Sequence, residues 1–408
     1  MNQKLGGEYI MKINKWLRTV MISCATALTF GIGLGLQSQS TQVEAATPTY
    51  KVVSTTSMTK APYHKKSSAG AIWNASHTKQ VATLKGYPYT TWYATKKASI
   101  KKSGGSTALY YQVKNGSGSV SGYVWHNYVT PGKAPFGLKY AKGAVALDVN
   151  TNGVVWSKNA NTPRPIASVS KLMTLYLVQQ KISNGGGTWT SKVNTSNAGL
   201  KKLGKDSTFG GFKFTKNSYT VRDLYLAALI ESSNNAAIAL GQWVAGGSTP
   251  TYNKKFISMM NAQAKSWNLS NTSFVSASGM EQNSLKPFGY SIGGANANMV
   301  SAADVAQIAR HLITDYNDVL KDASIGSMSL DGQKLYNYNN LLLGRKYYQK
   351  SLNVDGLKTG YTDPAGYCFV GTGRKSGHDR IITVVLHDEN EFTETRSLMN
   401  YVYNKNLA

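Results

Sequence analysis

Pro165-Ile-Ala-Ser-Val-Ser-Lys-Leu-Met-Thr174 sets two hydroxyls and an amine where the pattern predicts the start of a helix. Ser168 and Lys171 are three residues apart, so on a helix they share a face and meet. A serine hydroxyl is a poor nucleophile until a base takes its proton. Lysine can be that base when burial or a neighbouring positive charge keeps its amine neutral. A helix N-terminus favours the resulting alkoxide. Ser170 projects about 200° around the helix from Ser168, which makes Ser168 the candidate nucleophile and Lys171 its base. Spacing alone selects nothing, since Ser57/Lys60, Ser76/Lys79 and Ser99/Lys102 match as well. Two further elements accompany only the first pair. Ser232-x-Asn234 follows a predicted helix, a weak signal because Ser266-Trp-Asn268 also fits. Lys358-Thr359-Gly360 occurs once in the chain. It combines a positive charge, a hydroxyl and a glycine that admits close backbone approach on a strand, whose edge can pair with an extended peptide.

The elements that must position these groups read as an α+β layout. Gly143-Ala-Val-Ala-Leu-Asp148, the turn Asn150-Thr-Asn-Gly153 and Val154-Val-Trp156 predict a β-hairpin. Helical patterning follows at Leu172 to Gln180, Val221 to Ile230 (capped by Thr220) and Tyr252 to Trp267. Ser301-Ala-Ala-Asp304 has the form of a capping box ahead of Val305 to Ile313. Strands return at Leu357 to Thr359, Tyr367 to Gly371 and Ile381 to Leu386, before a last helix from about Thr393 to Tyr403. Strands at both ends with helices between imply one sheet assembled from the termini around a helical insert.

The 408 residues divide into parts of different texture. Lys12, Lys15 and Arg18 precede the apolar run Val20 to Leu36, and Val43-Glu-Ala45 has the small residues of a cleavage site. Residues 1–45 therefore read as a secretory signal, removed on export. A single membrane anchor is the competing reading, weakened by Gly31, Gly33 and Gly35. Cleavage takes Cys24 and leaves Cys368 alone, so no internal disulfide is expected and Cys368 reads as a buried structural thiol. The six histidines show no metal-ligand spacing, and neither a metal nor another cofactor is expected.

Residues 46–132 read as short strands rich in aromatic and β-branched residues, as in Tyr89-Thr-Thr-Trp-Tyr93 and Ala108-Leu-Tyr-Tyr-Gln-Val113. Between Ala46 and Pro135 stand twelve lysines and no arginine, aspartate or glutamate. A net charge of +26 on a cytoplasmic chain would suggest nucleic acid. On an exported one it directs the expectation to anionic polymers outside the membrane, with plain solubility as the alternative. Residues 133–138 read as a linker, and 139–408 as the catalytic part.

Two resemblances follow from these motifs. TLKGYPYTTWYATK with YYQVKNGSGSVSGYVW resembles the bacterial SH3-like modules of cell-wall proteins, which implies a wall-holding role for residues 46–132. PIASVSKLMT, ESSNNAA and DGLKTGYTDPAGYC, in this order, resemble the serine D-alanyl-D-alanine carboxypeptidases, or low-molecular-mass penicillin-binding proteins. That likeness implies a penicillin-binding-protein/serine β-lactamase-like domain that trims the terminal D-alanine from peptidoglycan stem pentapeptides and is acylated by β-lactams. It makes Ser168 the acylated nucleophile and Lys171 its base. Ser232 and Asn234 would relay a proton and hold the substrate amide, and Lys358 would tune the electrostatics. Thr359 and Thr362 would bind the terminal carboxylate, with Gly360 between them, and the N–H groups of Ser168 and Tyr361 would form the oxyanion hole.

The sequence also departs from its likeness. The glutamate that class A β-lactamases use for deacylation has no equivalent, which sets a β-lactamase aside. Glu391 stands where the family carries an arginine associated with the substrate carboxylate, so Thr359 and Thr362, or Arg374 or Arg396, are expected to compensate. It also keeps open an endopeptidase acting on cross-links, and an inactive wall-binding protein. Many relatives carry a C-terminal β domain, for whose tether the N-terminal module is the expected replacement.

Overall fold

The structure, a computed structural model, describes residues 50–102 and 105–408. The expected signal lies outside the described residues. Residues 50–131 form an antiparallel sheet of seven strands: β1 (Tyr50–Lys65), β2 (Ala71–Trp73), β3 (Gln80–Thr83), β4 (Trp92–Lys102), β5 (Thr107–Asn115), β6 (Ser121–Trp125) and β7 (Val129–Pro131). Their order is β3-β2-β6-β5-β4-β1-β7. Register shifts in β1 between Ser57 and Ala61, and in β4 between Ala94 and Lys96, let two long strands bend. Ile72, Leu84, Trp92, Ala94, Val113 and Val124 form its buried core. Lys96, Lys97 and Lys101 on β4 are exposed.

A second sheet uses strands from both ends of the remaining chain, as its patterning predicts. β8 (Gly143–Asp148) and β9 (Val154–Lys158) form the hairpin. Five short strands follow: β10 (Arg164–Pro165), β11 (Lys192–Asn194), β12 (Ser218–Thr220), β13 (Thr272–Ser273) and β14 (Met299–Val300). β15 (Ser327–Leu330) and β16 (Gln333–Tyr336) make a small hairpin. β17 (Val354–Thr362), β18 (Gly366–Gly373) and β19 (Ile381–Asp388) then complete the sheet in the order β17-β18-β19-β8-β9. β17 is an edge of that sheet, beside the helical insert.

The insert comprises α1 (Lys171–Ser183), α2 (Ala198–Lys205), α3 (Val221–Ile230), α4 (Asn234–Val244), α5 (Pro250–Ser266), α6 (Gln282–Leu285), α7 (Ala302–Asp315) and α8 (Val319–Ala323). α9 (Glu391–Asn404) packs on the other face of the sheet. α1 is buried from Lys171 to Gln179, the condition of a helix apolar on nearly every side. It is enclosed by α3, α4 and α7.

Caps and ion pairs tie the insert together. Thr220 and Asp223 form a reciprocal capping box on α3. The box expected at Ser301/Asp304 is only half formed. The Ser301 hydroxyl accepts from Asp304 N, but the Asp304 carboxylate accepts instead from Asn271 N and Thr272 Oγ1, at 2.9 and 2.8 Å. A buried loop needed an acceptor there, and the aspartate serves it rather than its own helix. Arg222 pairs bidentately with Asp322, and Arg380 with Asp355.

α9 also secures the start of residues 139–408. The Glu394 carboxylate accepts from the backbone N–H groups of Lys139, Tyr140 and Ala141 at 2.5, 3.0 and 2.9 Å. Beside it lies buried Asp388, whose Oδ2 has no hydrogen-bond partner. Burial, with Glu394 nearby, pushes the Asp388 carboxyl up to about 7. A folded-state value raised above the unfolded one contributes stability that is complete below about pH 4 and is lost as pH rises to about 7. Asp388→Asn keeps an acceptor for Asn390 N and carries no charge. It is therefore expected to raise the melting temperature at pH 8 clearly more than at pH 4, and an equal shift at both would refute the assignment.

Candidate active site

Ser168 sits in a 3-10 turn, Ala167–Ser170, and the α-helix proper begins only at Lys171. The helix was expected to start at Ser168, and its α-helical part starts one short turn later. Ala167 has φ +46°, a left-handed backbone that a non-glycine residue adopts only under constraint. Ser170 supplies part of that constraint. Its buried hydroxyl donates to Ala167 O at 2.7 Å and accepts from Asn298 Nδ2 at 2.7 Å. Ser170 thus braces the turn, and Ser168 is left to face the cleft.

Lys171 reaches the same point from the first turn of α1. Its Nζ donates to Ser168 Oγ at 2.8 Å, Asn234 Oδ1 at 2.8 Å and the Ser278 carbonyl at 2.7 Å. The side chain is fully buried, and burial first, then the nearby Lys358, holds its amine well below the ordinary lysine range. A neutral amine in this position can take the Ser168 proton along the existing 2.8 Å contact.

Asn234 opens α4, and its Nδ2 donates to Phe209 O at 2.8 Å, so both amide atoms have protein partners. Ser232 lies in the turn between α3 and α4 with φ +67°. Its Oγ is buried without a hydrogen-bond partner. A hydroxyl so placed is free to exchange a proton with a bound group.

β17 forms the facing wall. A Cβ on Gly360 would lie 3.0 Å from Ile166 O, Ser168 N and Val169 N, so glycine is what lets the strand press against the serine's backbone. Lys358 is buried, donates to Thr359 O at 3.2 Å, and is pushed down to about 7 by burial. Thr359 and Thr362 are half-buried. Tyr361 is 52% exposed, packs its ring at a tilt against Tyr367 and donates its hydroxyl to Asp363 Oδ1 at 2.9 Å.

Glu391 lies half-buried at the N-terminus of α9, and burial raises its carboxyl. The two arginines expected to offset it are engaged elsewhere. Arg374 Nε donates to His378 O, and Arg396 lies over the Tyr347 ring and donates to its carbonyl. Cys368 is buried, with its thiol pushed up to about 12. Missing from the sequence reading were Ser278, Phe209 and Asn298, two of which act through backbone carbonyls that no side-chain pattern announces. Gly279 belongs with them. A Cβ there would collide with Ala167 O, and the small-residue run Ser276-Ala-Ser-Gly279 is the only trace of that close approach.

A sheet from both chain ends, a helical insert and a lysine-held serine between them make up the penicillin-binding-protein/serine β-lactamase-like fold. The chain belongs to the D-alanyl-D-alanine carboxypeptidase family, peptidase S11, whose sequence pattern matches residues 133–390. It is 36% identical to a peptidoglycan synthesis regulatory factor (PBP3) from Streptococcus pneumoniae, with a TM-score of 0.60 over 65% of this chain and 74% of that one. Penicillin-binding protein D2 from Listeria monocytogenes in its cefotaxime-bound form is 32% identical, with a TM-score of 0.54 over 65% of this chain and 98% of the other. D-alanyl-D-alanine carboxypeptidase DacF of Bacillus subtilis is 30% identical over 255 residues, 60% of this chain. The match spans 57% of that relative's own length.

Ser168→Ala is expected to abolish covalent labelling by a fluorescent penicillin. Ser170→Ala should keep labelling but lose about 1–3 kcal/mol of stability with its buried hydrogen bonds, read by denaturant unfolding. The rate of labelling should rise with pH as Lys171 loses its proton, then fall above about 7 as Lys358 loses its charge. The apparent values belong to the coupled pair. Lys358→Arg, which keeps its charge, should carry the alkaline limb upward, and an unmoved limb would show that Lys358 is not its source.

Proposed function

We propose that the protein is a serine D-alanyl-D-alanine carboxypeptidase, which removes the terminal D-alanine from peptidoglycan stem pentapeptides. The observation that carries this reading is the fully buried Lys171 amine, 2.8 Å from Ser168 Oγ, beside an unpaired strand edge. An extended peptide adds to β17 as a further strand, which brings its last amide to Ser168. Lys171 takes the Ser168 proton as Oγ attacks the carbonyl of the penultimate D-alanine. The N–H groups of Ser168 and Tyr361 receive the oxyanion, each worth roughly 3–4 kcal/mol in sites of this kind. Ser232 passes a proton to the departing amine, and D-alanine leaves with its carboxylate beside Thr359 and Thr362. Lys358 lends positive charge to that end of the cleft. Asn234 holds Lys171 in place. Water then cleaves the acyl-serine. A β-lactam enters the same sequence and stalls as the acyl-enzyme, in keeping with the cefotaxime-bound relative.

Residues 46–132 are, in this reading, an SH3-like module that keeps an exported enzyme on the cell wall through anionic polymers. Twelve lysines without a compensating acid support it, and so does the exposure of Lys96, Lys97 and Lys101 along one strand. A second reading, endopeptidase action on cross-links, is favoured by Glu391, an acid at the position where the resemblance implies an arginine for a free substrate carboxylate.

D-alanine released from a synthetic stem pentapeptide tests the first reading, with Ser168→Ala as control. Release by the unaltered protein alone is the expected result. No release, with cleavage of cross-linked dimers and intact penicillin labelling, would transfer the same serine to the second reading.

A further inference from the structure

α9 begins between two cavities. One, of about 270 Å³, has Asn340, Tyr347, Tyr367, Asn390 and Glu391 in its walls. The other, of about 310 Å³, is walled by Tyr87, Tyr89, Thr90, Tyr140 and Ser397. Thr393, in the first turn of α9, lines both, so the two make one groove around that turn.

One end of the groove meets the catalytic strand. Tyr367 is the register partner of Tyr361 across β17 and β18, and their rings lie 4.6 Å apart. Gly360, just before Tyr361, is the residue pressed on the Ser168 backbone. The other end is the loop that joins β3 to β4, and it is fixed in place. The Tyr89 ring occupies the space that a Cβ on Gly137 would need, and Thr91 Oγ1 accepts from Ala134 N at 2.9 Å. Glu394 in turn holds Lys139 to Ala141 on α9.

The walls select an occupant by their chemistry. Tyrosine rings alternate with hydroxyl and amide side chains, so the apolar face of a sugar can lie on a ring while its hydroxyl and acetamido groups take hydrogen bonds. The charges oppose a polyanion. Glu389 and Glu391 outnumber Lys346 at one end. At the other, Lys139 donates to the Tyr140 hydroxyl, and the Glu394 carboxylate is committed to three backbone N–H groups. Lys96, Lys97 and Lys101 line neither cavity.

We propose that this groove binds the glycan strand, a chain of N-acetylated amino sugars, that carries the stem peptide. On the carboxypeptidase reading, on which this rests, a peptide added antiparallel to β17 with its carboxylate beside Thr359 points its amino end past Tyr361. Three extended residues precede D-alanyl-D-alanine, which sets the first sugar about 10 Å further on, in the Tyr367 cavity. The polymer then passes Thr393 and reaches Tyr140 and Tyr89. Its contacts add binding remote from the reacting bond, which a free peptide lacks.

The test uses the full chain and two substrates with the same pentapeptide, one free and one borne on uncross-linked glycan chains. The unaltered protein is expected to release D-alanine from the second with about tenfold higher kcat/KM, the scale of two aromatic contacts. Tyr89→Ala combined with Tyr140→Ala should bring that ratio close to one and leave the free pentapeptide rate unchanged. Tyr140→Ala alone, which spares the packing of Tyr89 on Gly137, should keep about a threefold preference. Equal rates in the unaltered protein, or an undiminished ratio in both variants, would overturn the inference. A ratio that falls instead in a Lys96→Gln, Lys97→Gln, Lys101→Gln variant would overturn it too, by placing the polymer on the lysine face. Release of D-alanine from neither substrate would count against the carboxypeptidase reading. Calorimetric titration with a soluble N-acetylglucosamine hexamer then reads the groove alone. Binding that the double variant loses supports the inference, and no binding to the unaltered protein overturns it.

Discussion

A lysine amine with no exposure to solvent is the constraint around which this molecule is arranged. An ammonium taken out of water is costly unless each hydrogen finds an acceptor, and Lys171 is given three from three separate parts of the chain. Meeting that demand fixes the distance from α1 to α4 through Asn234, and from α1 to the Ser276–Gly279 loop through the Ser278 carbonyl. The same burial that makes the charged form expensive makes the neutral amine accessible. Lys358, itself buried, adds repulsion that pushes further in that direction. Stability and reactivity therefore meet in one group: three acceptors hold the lysine in place, while its burial and the nearby Lys358 keep the amine a base.

The surrounding backbone is built to the same tolerance. Ala167 and Ser232 both take left-handed conformations next to reactive hydroxyls, and neither is a glycine. Such conformations persist where packing leaves no alternative. Here Ser170, Asn298 and Gly279 crowd the first, and the tight turn between α3 and α4 fixes the second. Gly360 works oppositely, by having no side chain where β17 meets the serine turn.

Much of this was legible in the sequence, and the reason differs from part to part. Ser168 and Lys171 could be paired because a local periodicity brings them together, and Lys-Thr-Gly stood out by its single occurrence. The hairpin β8–β9 and the Thr220 cap of α3 followed from short-range patterns. What stayed hidden is non-local or made by the backbone. The Ser278 carbonyl comes from 107 residues beyond Lys171, and every residue has a carbonyl. Asp304 was given to its own helix, but a neighbouring loop claims it. Asn234 was expected to hold the substrate amide, and its contacts to Lys171 and Phe209 were not foreseen. Side-chain identity was readable throughout, and the allocation of partners was not.

The sheet order carries a consequence for how the chain comes into being. Three of its five strands, β17, β18 and β19, lie among the last 55 residues, and β8 pairs with β19 across more than 230 positions. The segment that begins at Lys139 likewise waits for Glu394. A polypeptide made from its N-terminus has α1 and both active-site hydroxyls long before it has the wall that buries Lys171. Contacts of such long separation form slowly and late. The strand that presses on the Ser168 turn and the Lys358 charge that acts on Lys171 are thus the last parts of the site to be made.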